Sequence, residues 1–290
     1  MAAPASQNAA TGRIDTGKQQ RQWAEQCSAW DEWDKAGPPY RIHANSYYVG
    51  TCGISAILIT GSEGHILIDT GTEKGAEIVR ANVEALGFAP KDIRIILSSH
   101  EHFDHVGGFA LMQQWTGAKI IAAKEAASVL ETGQNAPDDP QYGALPAMTP
   151  VEIAGTIGAG DVVTLGNLKL TPIPTPGHTP GALSWRWESC EQDECLALVY
   201  ADSLSPVSSE SYKFGDHPEY VAAYRAAIER IAEIKCDILL TPHPSASGME
   251  KRLASPAGLR EPGLCQQYAA SISARLDKRL EQETGNRDAR

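Results

Sequence analysis

Short apolar runs, punctuated by Gly, Pro and polar clusters, dominate the chain. Residues 40–49 and 54–60 concentrate β-branched and aromatic side chains between such breaks and read as strands. A turn at Gly61-Ser-Glu-Gly64 leads to a third strand over 65–69. The period then changes: Ile78, Val79, Val83 and Leu86 share one face of a helix over 72–86, which Gly87 stops. A continuous apolar run over 93–97 suits a strand buried on both faces. A helix over 109–115 ends near Gly117, and 119–123 returns as a strand. The second half predicts strands near 162–165, 168–172, 183–187 and 196–200. A helix over 218–234 has Pro218 in its first turn, a buried strand covers 238–240, and an amphipathic helix over 266–283 follows.

Strands with helices between them imply an α/β (α+β) fold, with sheets packed centrally and helices outside. No linker and no internal repeat divides the pattern. Residues 19–290 are expected to form one domain behind a flexible segment, 1–18, that is poor in apolar residues. The Pro- and Asp-rich stretch 133–142 reads as a surface loop beside a site.

Hydrophobic residues make up 42% of the 290 and charged residues 21%, enough apolar material for a sizeable core. The net charge of −11, with no Lys/Arg cluster, excludes nucleic acid as a partner, because phosphates demand a basic face. It likewise offers nothing to an anionic membrane, and no apolar run approaches the roughly 20 residues that span one. The opening Met1-Ala-Ala-Pro-Ala-Ser reads as a mature terminus past a signal cleavage site, with a start Met added. Six cysteines form an even set. Cys190 and Cys195 bracket a polar turn between apolar runs and are expected to close it. Elimination and comparable separations then pair Cys27 with Cys52 and Cys236 with Cys265. Disulfides imply an oxidising compartment, hence a secreted, periplasmic protein, whereas buried free thiols in a cytosolic enzyme are the alternative.

Chemistry concentrates in Ser98-Ser-His-Glu-His-Phe-Asp-His-Val-Gly-Gly108, directly after the buried run at 93–97. His100 and His102 are two apart and share a face of an extended segment. Asp104 and His105 fall in the turn that follows, and Gly107 and Gly108 let the chain enter a helix tightly. Three imidazoles and a carboxylate this close together are a nitrogen and oxygen ligand set suited to zinc. His178 in Thr175-Pro-Gly-His-Thr-Pro-Gly181 and His243 in Leu239-Leu-Thr-Pro-His-Pro244 project from loops fixed by Pro and Gly, and would complete such a set. His43, His65 and His217 read as surface or capping residues. No Ser-x-x-Lys motif or nucleophile elbow supports a serine hydrolase.

With Tyr200-Ala-Asp-Ser-Leu-Ser-Pro-Val-Ser208, Gly50-Thr-Cys-Gly-Ile-Ser-Ala56, Gly64-His-Ile-Leu-Ile-Asp-Thr-Gly71 and Thr241-Pro-His-Pro-Ser245, these fragments resemble the subclass B3 metallo-β-lactamases over about residues 27–280. The resemblance implies an αβ/βα four-layer sandwich, the metallo-β-lactamase fold, with a dinuclear zinc site at its edge. By that likeness His100, His102 and His178 hold the first of two Zn2+ ions, and Asp104, His105 and His243 the second. A hydroxide bridging the metals, oriented by Asp104, would attack the lactam amide. Ser203 and Ser205 would hydrogen-bond the substrate carboxylate, with strand-end capping as their alternative role, and Asp202 lies outside the metal shell. The implied protein is a periplasmic β-lactamase that would hydrolyse penicillins, cephalosporins and carbapenems, confer antibiotic resistance, and work as a monomer on a small-molecule substrate. The alternative is another dinuclear-metal hydrolase of the same fold, a lactonase or a glyoxalase II-like thioesterase, in which an Asp of the 202 region bridges both metals.

Overall fold

The structure, a computed structural model, describes residues 16–288. The flexible segment expected over 1–18 therefore falls mostly outside the described residues, and its last three open a helix, α1 (Thr16–Gln26). Seven strands pair in chain order to form the first sheet: β1 (Tyr40–His43), β2 (Ser46–Tyr48), β3 (Ile57–Gly61), β4 (Gly64–Ile68), β5 (Ile93–Leu97), β6 (Lys119–Ala123) and β7 (Ile153–Ile157). β1 to β4 form an antiparallel meander, whereas β4 to β7 run parallel through crossover segments. The second sheet holds β8 (Val163–Leu165), β9 (Leu168–Pro174), β10 (Leu183–Glu191), β11 (Glu194–Tyr200) and β12 (Ile238–Leu240). It is antiparallel except for the β11–β12 pair.

The inner faces of the two sheets share one core, in which Ile57, Ile66, Leu170 and Trp185 have no exposed surface. On the outside of the first sheet lie α2 (Glu73–Ala85), α3 (Phe103–Val106), α4 (Phe109–Thr116) and α5 (Ala127–Thr132), with Val79, Val83 and Met112 directed inward. The outer face of the second sheet packs α6 (Pro218–Glu233) and, beyond α7 (Met249–Ala254), α8 (Leu264–Asp288) over Val199 and Leu239. Helix, sheet, sheet and helix thus stack in four layers, the αβ/βα sandwich.

Three disulfides join Cys27 to Cys52, Cys190 to Cys195 and Cys236 to Cys265. Cys190 and Cys195 are register partners across the β10–β11 hairpin. The strand expected over 40–49 is instead a hairpin, folded at Ala44, whose φ of 44° puts it in the left-handed region. Arg41 makes that turn possible by donating Nε–H to the Ala44 carbonyl at 2.6 Å.

What matters for function is which strand ends coincide. β4, β5, β9, β11 and β12 all finish at the same edge of the sandwich, and each is followed by a loop that bears polar side chains. Open α/β sheets place ligands at such carboxyl ends. Trp185 fastens the two sheets just beneath this edge: it is fully buried and donates Nε1–H to the Ser98 carbonyl at 2.9 Å. Trp185→Ala is expected to lower unfolding free energy by about 3–5 kcal/mol, and Trp185→Phe by about 1–3 kcal/mol, since phenylalanine keeps most of the packing and loses the hydrogen bond. Urea denaturation of the two variants measures both; a Trp185→Phe protein as stable as wild type would show that the Ser98 bond contributes nothing.

Candidate metal centre

Leu97 ends β5, and the next residues leave the sheet held by Asp69, which follows β4. The Asp69 carboxylate accepts from Ser99 N–H at 2.7 Å, from Ser99 Oγ at 2.6 Å and from the Tyr200 hydroxyl at 2.8 Å. Asp69 itself sits at φ 60°, one of a few non-glycine residues in the left-handed region, with Leu204 (45°) and Trp30 (57°), which flank the same site. Strain held at one place by surrounding bonds is characteristic of functional loops. Gly108 ends the histidine segment because no side chain fits: a Cβ there would lie 2.5 Å from that of Ala76 and 2.8 Å from the Thr72 carbonyl.

His100, His102 and His178 meet with ring centroids 4.8–4.9 Å apart, and each offers a nitrogen within 4.8 Å of the others'. In each ring one nitrogen is already engaged. His100 Nδ1 lies 2.8 Å from Asp202 Oδ1, His102 Nε2 lies 2.8 Å from Asp139 Oδ2, and His178 Nδ1 lies 3.0 Å from the Ser205 carbonyl. Those acceptors assign the N–H to the engaged nitrogen, leaving Nε2 of His100, Nδ1 of His102 and Nε2 of His178 as lone-pair donors. Burial, reinforced by the neighbouring imidazoles, holds the pKa of His100 and His178 well below the usual histidine range, so both are neutral at pH 7. His100 Nε2 is buried with no hydrogen-bond partner. Buried polar atoms are seldom left so, and three convergent imidazoles fit a metal ion.

A second cluster adjoins the first. Asp104 Oδ2 lies 3.1 Å from His105 Nε2 and 3.3 Å from His243 Nε2, while His105 Nδ1 faces Asp69 Oδ2 at 3.5 Å. Burial alone would raise the Asp104 carboxyl, but the facing His105 and His243 rings hold it well below the carboxylate range. In His105 burial pulls the other way and is outweighed by Asp104 and Asp69, which push it up to about 10. The corner thus demands a positive charge, which a proton or a metal ion can supply. The His243 side chain remains 21% exposed, so this cluster opens toward solvent.

Glu101, between His100 and His102, is buried and accepts from Thr179 Oγ1 at 2.7 Å and Gly181 N–H at 2.9 Å. That bond locks the loop of His178 to the loop of His100 and His102. Burial raises the Glu101 pKa above the usual range. Asp202 is also fully buried, and burial pushes its carboxyl up to about 7 against the stabilising N–H groups of Leu204 and Ser203. It touches His100 through the ring nitrogen that faces away from the cluster.

Above the ligands lies a cleft of about 210 Å³, walled by Trp30, Trp33, Leu145 and Val207 and, on one side, by Ser203 and Ser205. Trp30 and Trp33 are large apolar side chains left 66% and 39% exposed. Trp30 is set by its own N–H, which donates to Ser245 Oγ at 2.7 Å, and its ring lies 6.1 Å from that of His243. The Ser203 hydroxyl is buried and unpartnered, and Ser205 Oγ lies 3.4 Å from His178 Nδ1. The hydroxyl of Tyr268 in α8 donates to the carbonyls of Asp202 at 2.9 Å and Ser203 at 2.6 Å, which anchors this wall. The stretch 133–142 does stand beside the site, with Asp139 and Gln141 reaching it.

Three histidines lie elsewhere. His217 is exposed at the N-cap of α6 and stacks on Tyr212 at 4.4 Å. His43 and His65 are not simple surface residues: each is half-buried with one ring nitrogen enclosed and unbonded, and His65 packs edge-on to Phe88 at 5.3 Å. The residues that sequence reasoning missed are Asp69, Asp139 and the Trp30–Trp33 loop.

Residues 49–243 match the family model described as the metallo-β-lactamase superfamily, and the chain belongs to that family. Its likeness within the family is to solved structures of subclass B3. The MIM-2 metallo-β-lactamase is 53% identical over 93% of this chain and 98% of that one, with a TM-score of 0.88. MIM-1 from Novosphingobium pentaromativorans is 44% identical over 91% and 98%, also at 0.88. MEM-A1, a subclass B3 metallo-β-lactamase from a soil metagenome library, is 38% identical over 88% and 100%, at 0.84. The chain spans about half the length of the curated relatives it matches, such as a hydroxyacylglutathione hydrolase of Bradyrhizobium sp. (strain BTAi1), 25% identical over 162 residues. Among the described residues no helix is long and apolar enough to cross a membrane.

Proposed function

We propose that the protein is a zinc-dependent β-lactamase that opens the lactam amide of bicyclic β-lactams. The observation that carries this reading is the pair of ligand clusters, three imidazoles beside Asp104, His105 and His243, at the floor of a cleft with one hydroxyl-bearing wall. Three protein ligands per ion leave positions open for water and substrate, unlike the closed cages of structural zinc. Two bound zinc ions would supply Lewis acidity, polarising a carbonyl and bringing the pKa of water to about 7.

The chain's own residues do the rest. Asp104 is placed to orient the attacking water by accepting its hydrogen bond. Asp202, Asp139 and the Ser205 carbonyl fix the rings of His100, His102 and His178, so no reorganisation is needed during reaction. Ser203 and Ser205 donate to the carboxylate on the fused ring. Trp30, Trp33 and Val207 offer apolar surface to the substrate's side chain and shed water from the reacting bond. Penicillins, cephalosporins and carbapenems all present that carbonyl and carboxylate, and their hydrolysis would confer resistance on a cell that exports the protein to its periplasm. The protein acts as a monomer.

A thioesterase of the hydroxyacylglutathione type is the reading to distinguish. Asp202 does not favour it, because its carboxylate meets the back of His100 rather than the cluster of free nitrogens. Zinc-loaded protein is expected to turn over nitrocefin and to leave S-lactoylglutathione intact. Thioester hydrolysis without nitrocefin turnover would reverse the assignment.

A further inference from the structure

Arg275 is the single Lys or Arg among the described residues that line the cleft. It stands on α8, two turns after Tyr268 and one turn before Arg279, a spacing that puts the three side chains on neighbouring rows of the helix. Tyr268 holds the carbonyls of Asp202 and Ser203, and Arg279 donates Nη2–H to Ser208 Oγ at 2.7 Å. The two contacts lay the segment Ser203–Ser208 along the helix, with Arg275 opposite its middle. The acids near Arg275 on α8 are committed elsewhere: Asp277 pairs with Arg225 at 2.6 Å, and Glu283 pairs with Arg279 at 2.7 Å. Among the described residues the guanidinium of Arg275 has no ion-pair or hydrogen-bond partner, and the residue is exposed. A cation without a partner thus faces a wall whose Ser203 hydroxyl is buried and also unpartnered.

We infer that Arg275 is the anion-recognising residue of the cleft, binding the carboxylate that Ser203 and Ser205 meet by hydrogen bond. The inference rests on the β-lactamase reading for the identity of the substrate, though not for the existence of the subsite. Guanidinium and carboxylate form the strong, two-pronged kind of charged hydrogen bond, and at an exposed rim it adds moderately to affinity. In a chain of net charge −11 an uncompensated Arg also offsets the repulsion that an anionic substrate meets on approach.

The test uses the zinc-loaded protein and two thiols that differ only in charge, N-(3-mercaptopropanoyl)proline and its prolinamide. Both bring the same thiol to the metals, so the ratio of their dissociation constants isolates the carboxylate. Arg275→Ala should reduce the preference for the acid about five- to tenfold at low salt, while leaving the affinity of the amide unchanged. Arg275→Lys should restore part of that preference, and about 0.5 M salt should erase the difference between wild type and Arg275→Ala. An unchanged ratio in Arg275→Ala, or equal losses for both thiols, would overturn the inference. Because neither thiol is hydrolysed, a failure of β-lactam turnover would refute the proposed function without deciding this question.

Discussion

Asp104→Ala is expected to lower kcat/KM for a bicyclic β-lactam by at least about 10³-fold, a loss of roughly 4 kcal/mol of transition-state stabilisation. The residue acts twice. Its Oδ2 lies within 3.3 Å of both His105 and His243, so its removal takes away the carboxylate that faces both rings. In the proposed mechanism it also removes the acceptor that orients the attacking water. His243→Ala should be milder, because that ring sits at the open rim and its loss leaves His100, His102 and His178 intact. His178→Ala should instead weaken the first cluster, which then keeps two imidazoles. Exhaustive chelation should bring the wild type down to the level of Asp104→Ala. Turnover measured beside metal content per chain checks all four cases. An Asp104→Ala protein within tenfold of wild type would remove the carboxylate from the mechanism.

Asp202→Ala should weaken metal binding by the first cluster about 10- to 100-fold, although Asp202 has no atom among the free donors. Its Oδ1 accepts the Nδ1–H of His100 at 2.8 Å, and its other oxygen accepts from Leu204 N–H at 3.2 Å. Alanine leaves both N–H groups buried and unpaired and frees the ring to turn. Asparagine separates two readings. Its side-chain oxygen still accepts from His100, so metal affinity should stay close to wild type, while its amide faces the Leu204 N–H and lowers stability by about 1–3 kcal/mol. A bridging carboxylate of the thioesterase kind would show the reverse, with metal lost and stability little altered. Metal titration and urea denaturation of both variants decide between them.

The strands and the histidine-bearing loops were legible because their signals are local. An apolar run at 93–97, broken only by Arg94 and followed by Ser-Ser-His-Glu-His, shows burial and histidine spacing within one short stretch, and prolines near His178 and His243 exclude a ladder role. Other elements carry no such mark. α1 is rich in Gln, Lys and Arg and buries little more than Trp23 and Gln20, so its period is nearly silent. β7 is an edge strand with three exposed residues in five, and the β1–β2 turn at Ala44 lacks Gly and Pro. The supporting carboxylates were invisible for a different reason. Asp139 meets His102 across 37 residues and Asp202 meets His100 across 102, so only the folded topology brings them together. The hold of Asp202 on His100 carries no local mark in the sequence.

The stretch matched by the family model ends at His243, whereas α8 begins at Leu264. Every side chain assigned to a metal lies inside that stretch, but the Tyr268 hydroxyl that steadies the Asp202–Ser203 backbone lies beyond it. On the other side, Cys52 is inside and its partner Cys27, which tethers the Trp30 loop, is not. A graft of residues 49–243 into a foreign scaffold would therefore carry the ligands across and leave their strut behind. The transplant could gather metal yet present a slack wall and an untethered rim to anything that enters.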